Sequence, residues 1–226
     1  EHRFLIDKVG DPMSVAIDRL LGLEVNGVER FLELAKPALQ EAIAPLNSLN
    51  LNLAPVPVFL GLPEPRPGWP TDNTAKFAAK LKETFPWLGH IRTFPNGHAS
   101  GLQALEEAAQ AVRNGPTPFA LVGGVDSYMD ADTLDWLDRE QQLMSTANRA
   151  GFPPGEGAGF CLVGTVRAIR QYRMNLLAWF VASATAMEKN RDAVGQTARL
   201  ADAAQDHPQR ADQADARGGL RRRLSL

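Results

Sequence analysis

The stretch GHASGLQALEEAAQAVRNG, residues 97–115, is the part of this sequence that decides the fold. Small residues fill its first turn, so the chain there can approach neighbouring backbone closely. Gly115 and Pro116 supply the stop signal. Apolar side chains recur at the three- and four-residue spacing of an amphipathic helix, at Leu102, Leu105, Ala108, Ala109 and Val112. The stretch therefore predicts a helix that packs one face on a core.

The beginning of this helix is the candidate functional site. A first helical turn carries unpaired backbone N–H groups and the positive end of the helix dipole, which suit a reactive or anionic group. The polar side chains that the sequence places there are those of His98 and Ser100. These two residues are therefore the candidate catalytic residues.

Two glycine-containing motifs follow the helix. The run FALVGGVDS, residues 119–127, predicts a short buried strand whose final residues close a turn through side-chain to backbone bonds. The run GFPPGEGAGF, residues 151–160, leads into a buried strand predicted over 158–164. Glu156 is expected to be a buried carboxylate that accepts backbone N–H bonds. Cys161 is expected to behave as a small buried hydrophobe.

The remaining elements alternate between helix and strand. Three helices are predicted. The first covers 28–45 and is bent or restarted at Pro37. The second follows a cap at Thr71 or Asp72, and the third covers 131–142. Strands are predicted over 56–60, 90–94 and 176–183. Pro57 indicates that the first of these strands lies at a sheet edge, or that no ladder donor is needed at this position. The alternation predicts an α/β fold with layered α/β/α packing on a mixed sheet.

The composition excludes several classes of protein. The chain has 226 residues, a net charge of −2 and one cysteine. A near-neutral charge gives no support for nucleic acid or an anionic membrane as the main partner, and one cysteine excludes an internal disulfide or a cysteine zinc site. No apolar run reaches the roughly 18 residues of a membrane span. We expect a cytoplasmic protein, with no metal and no cofactor.

The order of the three motifs resembles the N-terminal half of a β-ketoacyl synthase of the thiolase-like superfamily, over roughly residues 28–189. The resemblance implies a β-ketoacyl synthase-like N-terminal domain over residues 1–191. Residues 192–226 are poor in apolar side chains and are expected to be a disordered or aberrant tail. The resemblance also implies a homodimer or a partner synthase subunit, with an acyl thioester or an acyl carrier protein as ligand.

This sequence departs from the family pattern at one position that bears on function. The family places its nucleophilic cysteine in a pattern resembling Ala-Cys-Ala-Ser/Thr-Gly, where this sequence has His98. The family's two basic side chains come from a second half whose pattern this sequence does not continue. We therefore expect no condensing activity, and a partner or vestigial subunit of fatty-acid or polyketide-type synthesis; whether the protein is an enzyme stays open.

Two residual activities are the alternatives. His98 would assist decarboxylation of a bound malonyl group, or Ser100 would act as the nucleophile of a thioesterase. Ser100 stands fourth in GHASG, whereas a nucleophile elbow places serine third. The sequence alone favours structural roles for both residues: a histidine bonded to local backbone, and a small residue that opens the helix.

Overall fold

A computed structural model of the chain describes residues 2–7, 10–47, 49, 55–146 and 148–184. The chain divides into two compact units, residues 1–175 and 176–226. Every helix and strand below belongs to the first unit. The expected tail, residues 192–226, lies outside the described residues, and the boundary at residue 191 stays a prediction.

The first unit alternates strands and helices along the sequence. Its elements are β1 (His2–Ile6), β2 (Pro12–Met13), α1 (Gly27–Asn47), β3 (Val56–Gly61), α2 (Thr71–Thr84), β4 (Leu88–Phe94), a 3-10 turn (Gly97–Ala99), α3 (Ser100–Asn114), β5 (Phe119–Ser127), α4 (Ala131–Arg139), β6 (Glu156–Gly164) and α5 (Val166–Gln171).

Four of the strands form a mixed sheet in the order β4-β3-β5-β6. β3 is parallel to β4 and to β5, and β6 is antiparallel to β5. Side chains of β3 alternate between two cores: Val58 and Leu60 pack with α1 and α2, whereas Phe59 packs with α3. The predicted α/β class, with helices on both faces of a mixed sheet, is confirmed.

The order of the strands creates a switch point in the sheet. From β3 the chain passes through α2 to β4 on one side, then through α3 to β5 on the other side of β3. The connections that follow β3 and β4 therefore lead to helices in the two different cores, α2 and α3, and a change of direction between neighbouring strands is where open α/β sheets bind ligands.

Of the two positions predicted from Pro57, the sheet edge is wrong, because β3 lies between β4 and β5, and the position without a ladder donor is the one found. Pro57 is tolerated for a local reason. Pairing with β5 begins only at Val58, and the register with β4 is irregular between Val56 and Val58. No regular ladder bond is needed at Pro57, so the missing N–H costs little.

Two helices differ in detail from the predictions, and the expected start of a third is found. α1 is one continuous helix through Pro37 and does not restart there. Pro70, and neither Thr71 nor Asp72, is the N-cap of α2, with no side-chain capping bond. The N-cap of α4 is Asp130, whose carboxylate accepts the backbone N–H groups of the next turn.

The strand predicted over 176–183 is also wrong. Residues 176–184 adopt neither helix nor strand, and the preceding segment forms the short helix α5. An apolar run becomes a strand only where a neighbouring strand pairs with it. No described strand pairs with this run. None of the helices in the described ranges is both long and apolar enough to cross a membrane.

Candidate functional site

The turn before α3 is built by close backbone contact. Gly97 has φ +65°, a left-handed conformation that glycine adopts without strain. A Cβ atom on Gly61, at the end of β3, would lie 2.8 Å from both Ser100 Oγ and the Gly101 amide nitrogen. The predicted close approach of the helix start to neighbouring backbone is therefore present, and it depends on these small residues.

His98 lies on the open side of this turn. Its side chain is exposed, and it makes no hydrogen bond within the described part of the chain. The backbone bonding that the sequence favoured for the imidazole is therefore not found there. The ring is accessible to a ligand that approaches the start of α3.

Ser100 has a different environment. The residue is 6% exposed, and its hydroxyl donates a 2.6 Å hydrogen bond to the carbonyl oxygen of Gly97. A nucleophilic serine instead donates this proton to a general base. The geometry thus favours the structural role of Ser100 as the residue that closes the first turn.

The 62–70 loop, which follows β3, holds the turn from one side. The Leu62 amide donates to the Phe94 carbonyl oxygen at 3.0 Å, and the Leu62 carbonyl oxygen accepts from Gly97 N–H at 3.2 Å. A methyl group on Gly97 would come within 3.3 Å of a Glu64 carboxylate oxygen. The start of the loop therefore fixes both the strand that leads to the turn and the turn itself.

Arg66 joins the same loop to the end of β5. The guanidinium donates to both carboxylate oxygens of Asp126, at 2.6 and 3.3 Å, and to the Ser127 carbonyl oxygen at 2.8 Å. It also lies over the Tyr128 ring, 4.4 Å from the centroid. The Arg66 side chain is only 9% exposed. Burial, and then the charge of Asp126, raise the pKa of the Tyr128 hydroxyl above its usual value.

Glu156 is the centre of a second, buried network. Its carboxylate accepts from Arg30 Nε at 2.5 Å and Nη2 at 2.6 Å, from Ser127 Oγ at 2.7 Å, and from Asp18 N–H at 2.9 Å. Burial alone raises the pKa of this carboxyl, but the bonds from Arg30, Ser127 and Asp18 together hold it below its usual value. The prediction of a buried carboxylate that accepts a backbone N–H bond is confirmed.

The turn predicted for Asp126 and Ser127 is also confirmed. The Ser127 amide donates to Asp126 Oδ1, and the Met129 amide donates to Ser127 Oγ. Ser127 Oγ also reaches Glu156, so the end of β5 joins the two networks.

Cys161 lies apart from the candidate site. It is on β6, at the opposite edge of the sheet from β4, the strand that leads to His98. The prediction that its side chain is buried is wrong, because Cys161 is exposed. An edge strand leaves part of one face uncovered, and every second residue from Gly157 to Cys161 faces solvent.

Sequence reasoning missed the two arginines that organise the site. Arg30 lies four residues before Leu34 on the buried face of α1, and a charge on an apolar face is a signal that a buried partner exists. Arg66 gave no comparable signal, because it lies in a proline-rich loop whose partner is 60 residues away. Within the described residues, no group of three or more His, Cys, Asp or Glu is placed to hold a metal ion.

Comparison with known proteins shows a similarity to one protein family. Residues 67–168 match the family model described as the N-terminal domain of beta-ketoacyl synthases. This stretch, which includes the turn at His98 and both glycine motifs, is similar to part of that N-terminal domain. The resemblance recognised in the sequence is thereby confirmed at this level.

Individual relatives are polyketide synthases. The chain is 32% identical over 117 residues to the pikromycin polyketide synthase component PikAIII of Streptomyces venezuelae. The matched stretch covers 49% of this chain and 7% of that protein. The ketosynthase from module 6 of the bacillaene synthase of Bacillus subtilis 168 is 27% identical, with TM-score 0.48, over 65% of this chain and 28% of that one.

A third similar structure is a ketosynthase solved with its partner. It is a type II polyketide ketosynthase in complex with its acyl-carrier protein and bound to the hexaketide, 15% identical, with TM-score 0.49, over 70% of this chain and 48% of that one. The chain thus spans less than half the length of each of these three relatives.

Proposed function

We propose that this protein is a β-ketoacyl synthase-type domain that binds acyl thioesters but forms no acyl-enzyme as it stands. The observation that carries the proposal is the accessible imidazole of His98 in the turn before α3, where the sequence pattern of the family has its nucleophilic cysteine. The ligand class, an acyl thioester on an acyl carrier protein or a smaller thiol, is carried over from the family.

The residue type at this position decides the chemistry. A cysteine at a helix start becomes a thiolate more readily, because the helix dipole stabilises the negative charge. A histidine that accepted an acyl group would form an acyl-imidazole, which water hydrolyses readily. His98 therefore cannot hold an acyl group long enough for condensation. Cys161 does not replace the missing thiol, since it lies at the other edge of the sheet.

Decarboxylation of a malonyl thioester is the second candidate activity. In that step the bond between the carboxylate and the α-carbon breaks, carbon dioxide leaves, and the electron pair forms an enolate on the thioester carbonyl. An N–H group of His98 hydrogen-bonded to that oxygen would stabilise the negative charge, and a proton from water would complete the acetyl thioester. The exposure of the His98 ring favours this activity over hydrolysis by the buried Ser100.

Incubation of the unchanged protein with malonyl and acetyl thioesters tests these alternatives. We expect binding without any mass increase of the protein. If His98 assists decarboxylation, carbon dioxide is released from the malonyl thioester, and His98→Ala abolishes the release whereas Ser100→Ala does not. Release of free thiol that disappears in Ser100→Ala would contradict this assignment and support a thioesterase.

Self-association is part of the same proposal. The outer edge of β4 pairs with no other strand in the described ranges, and such an edge presents unpaired N–H and carbonyl groups to a second chain. Leu102 on α3, 62% exposed, adds apolar surface. We expect a homodimer, located in the cytoplasm, at micromolar concentration in light scattering. A single monomeric species at that concentration would contradict the homodimer.

A further inference from the structure

We propose that Arg66 is a positioning residue for His98: by anchoring the 62–70 loop to the end of β5, it fixes the turn that begins α3. This inference rests on the proposed function, because it assigns a role to the contacts around the same turn. Arg66 does not act on a ligand itself. It acts through the loop on the residue that faces one.

The 62–70 loop makes contacts at both ends that connect the turn before α3 to β5. At one end, the backbone of Leu62 bonds Phe94 and Gly97, directly before His98. At the other end, the Arg66 guanidinium bonds the Asp126 carboxylate and the Ser127 carbonyl oxygen. The connection therefore joins the end of β4 and the turn after it to the end of β5.

The segment between these two ends is stiff. Pro63, Pro65 and Pro67 alternate with Glu64 and Arg66. Each proline ring fixes its own φ and restricts the residue before it to extended conformations. Because the segment has so few accessible conformations, a displacement of Arg66 also displaces Leu62.

The contacts at position 66 require the geometry of an arginine side chain. The planar guanidinium pairs with both carboxylate oxygens, reaches a carbonyl oxygen and lies over the Tyr128 ring at the same time. Lysine carries the same charge as a point on a flexible chain and cannot reproduce this arrangement. The requirement is therefore for the shape of arginine as well as for its charge.

The remaining contacts of the loop explain why the fold does not depend on Arg66. Thr133 Oγ1 donates to the Pro67 carbonyl oxygen at 2.7 Å. Trp69 is buried and stacks on Phe31, with ring centroids 3.8 Å apart. Together with the backbone bonds between Arg66 and Trp69, these contacts hold the second half of the loop, so replacement of the Arg66 side chain removes the tie to β5 and leaves the loop folded.

The test uses a thiol as a reporter of the turn and needs no acyl thioester. In the double variant His98→Cys, Cys161→Ala, the introduced thiolate displaces iodide from iodoacetamide and forms a thioether, and the rate is measured from pH 5 to 10. A thiol held at the helix start should titrate below the roughly 8.5 of a free cysteine. Added to this background, Arg66→Gln should raise that midpoint and slow alkylation at pH 7 about fivefold.

Two further variants separate positioning from electrostatics. If only the charge of Arg66 acts on the thiol, Arg66→Lys retains the rate, and Asp126→Asn, which removes a negative charge, accelerates alkylation. Positioning predicts the opposite: both variants slow it, because each breaks the paired contact. Asp126→Asn keeps an oxygen for the Ser127 amide, so the turn after β5 survives and circular dichroism should be unchanged.

Arg139→Gln is the matched control, because it removes the same charge from an exposed pair with Asp135 on α4, and it should leave the rate unchanged. Unchanged rates in Arg66→Lys, or faster alkylation in Asp126→Asn, would overturn the proposal. Uptake of an acyl group is a separate measurement. If the acyl group is not taken up but the Arg66 variants still slow alkylation as expected, only the proposed function is refuted.

Discussion

His98→Cys should take up one acyl group per chain from an acyl thioester, whereas the unchanged protein takes up none. The substitution places a thiol in the turn before α3, where the dipole of a 15-residue helix favours the thiolate. The thiolate attacks the thioester carbonyl, the ligand's own thiol leaves, and the acyl group remains on sulfur. Mass spectrometry should detect the increase and map it to residue 98.

The native thiol is removed in the matched control. Cys161→Ala combined with His98→Cys should label as fully as His98→Cys alone, and Cys161→Ala alone should not label. If Ser100 is the nucleophile instead, the unchanged protein labels and Ser100→Ala abolishes the label. Absence of labelling in a folded His98→Cys variant would mean that residue 98 is not the family's cysteine position.

Glu156→Gln should lower the free energy of unfolding by about 3–5 kcal/mol, which is the usual cost of removing one partner of a buried ion pair. Arg30 and Glu156 are 1% and 0% exposed in their side chains, so the remaining guanidinium charge has no access to water. Chemical denaturation monitored by circular dichroism measures the loss. Glu107→Gln is the control, since it breaks the exposed pair with Arg92 and should cost less than about 1 kcal/mol.

The same carboxylate predicts how stability depends on pH. The pKa of Glu156 is lowered by folding, so the unfolded state takes up a proton first as the pH falls. The stabilisation is fully present above the unfolded pKa of about 4.3 and is lost as the pH falls through the lower folded value. Glu156→Gln should remove this part of the acid dependence. An identical acid profile in both proteins would contradict the assignment.

Local patterns in the sequence were sufficient for the elements that carry the site. The helix that begins near Ser100 and the strand Phe119–Ser127 each follow from apolar spacing over a few residues, together with glycine or proline at the ends. The three motifs also led to the family, since each is short and lies on one element.

The same local patterns do not predict which charged residues pair over long distances in the sequence. Arg30 and Glu156 are 126 residues apart, and Arg66 and Asp126 are 60 apart. No local preference states which charges meet across such distances. Pro57 left two alternatives open for a related reason: whether a missing N–H matters depends on where the neighbouring strands begin to pair, and the strand's own sequence does not contain that information.

The interior position of β3 also has a consequence for how the protein folds during synthesis. Both neighbours of β3 follow it in the chain, and β5 starts only at Phe119, about 60 residues after Gly61. At about 5–20 residues per second, the ribosome takes about 3–12 s to supply that strand. Until then the apolar side chains of Val58, Phe59 and Leu60 have no complete sheet to enter. The nascent chain therefore has a period in which it is most exposed to aggregation and most in need of a chaperone.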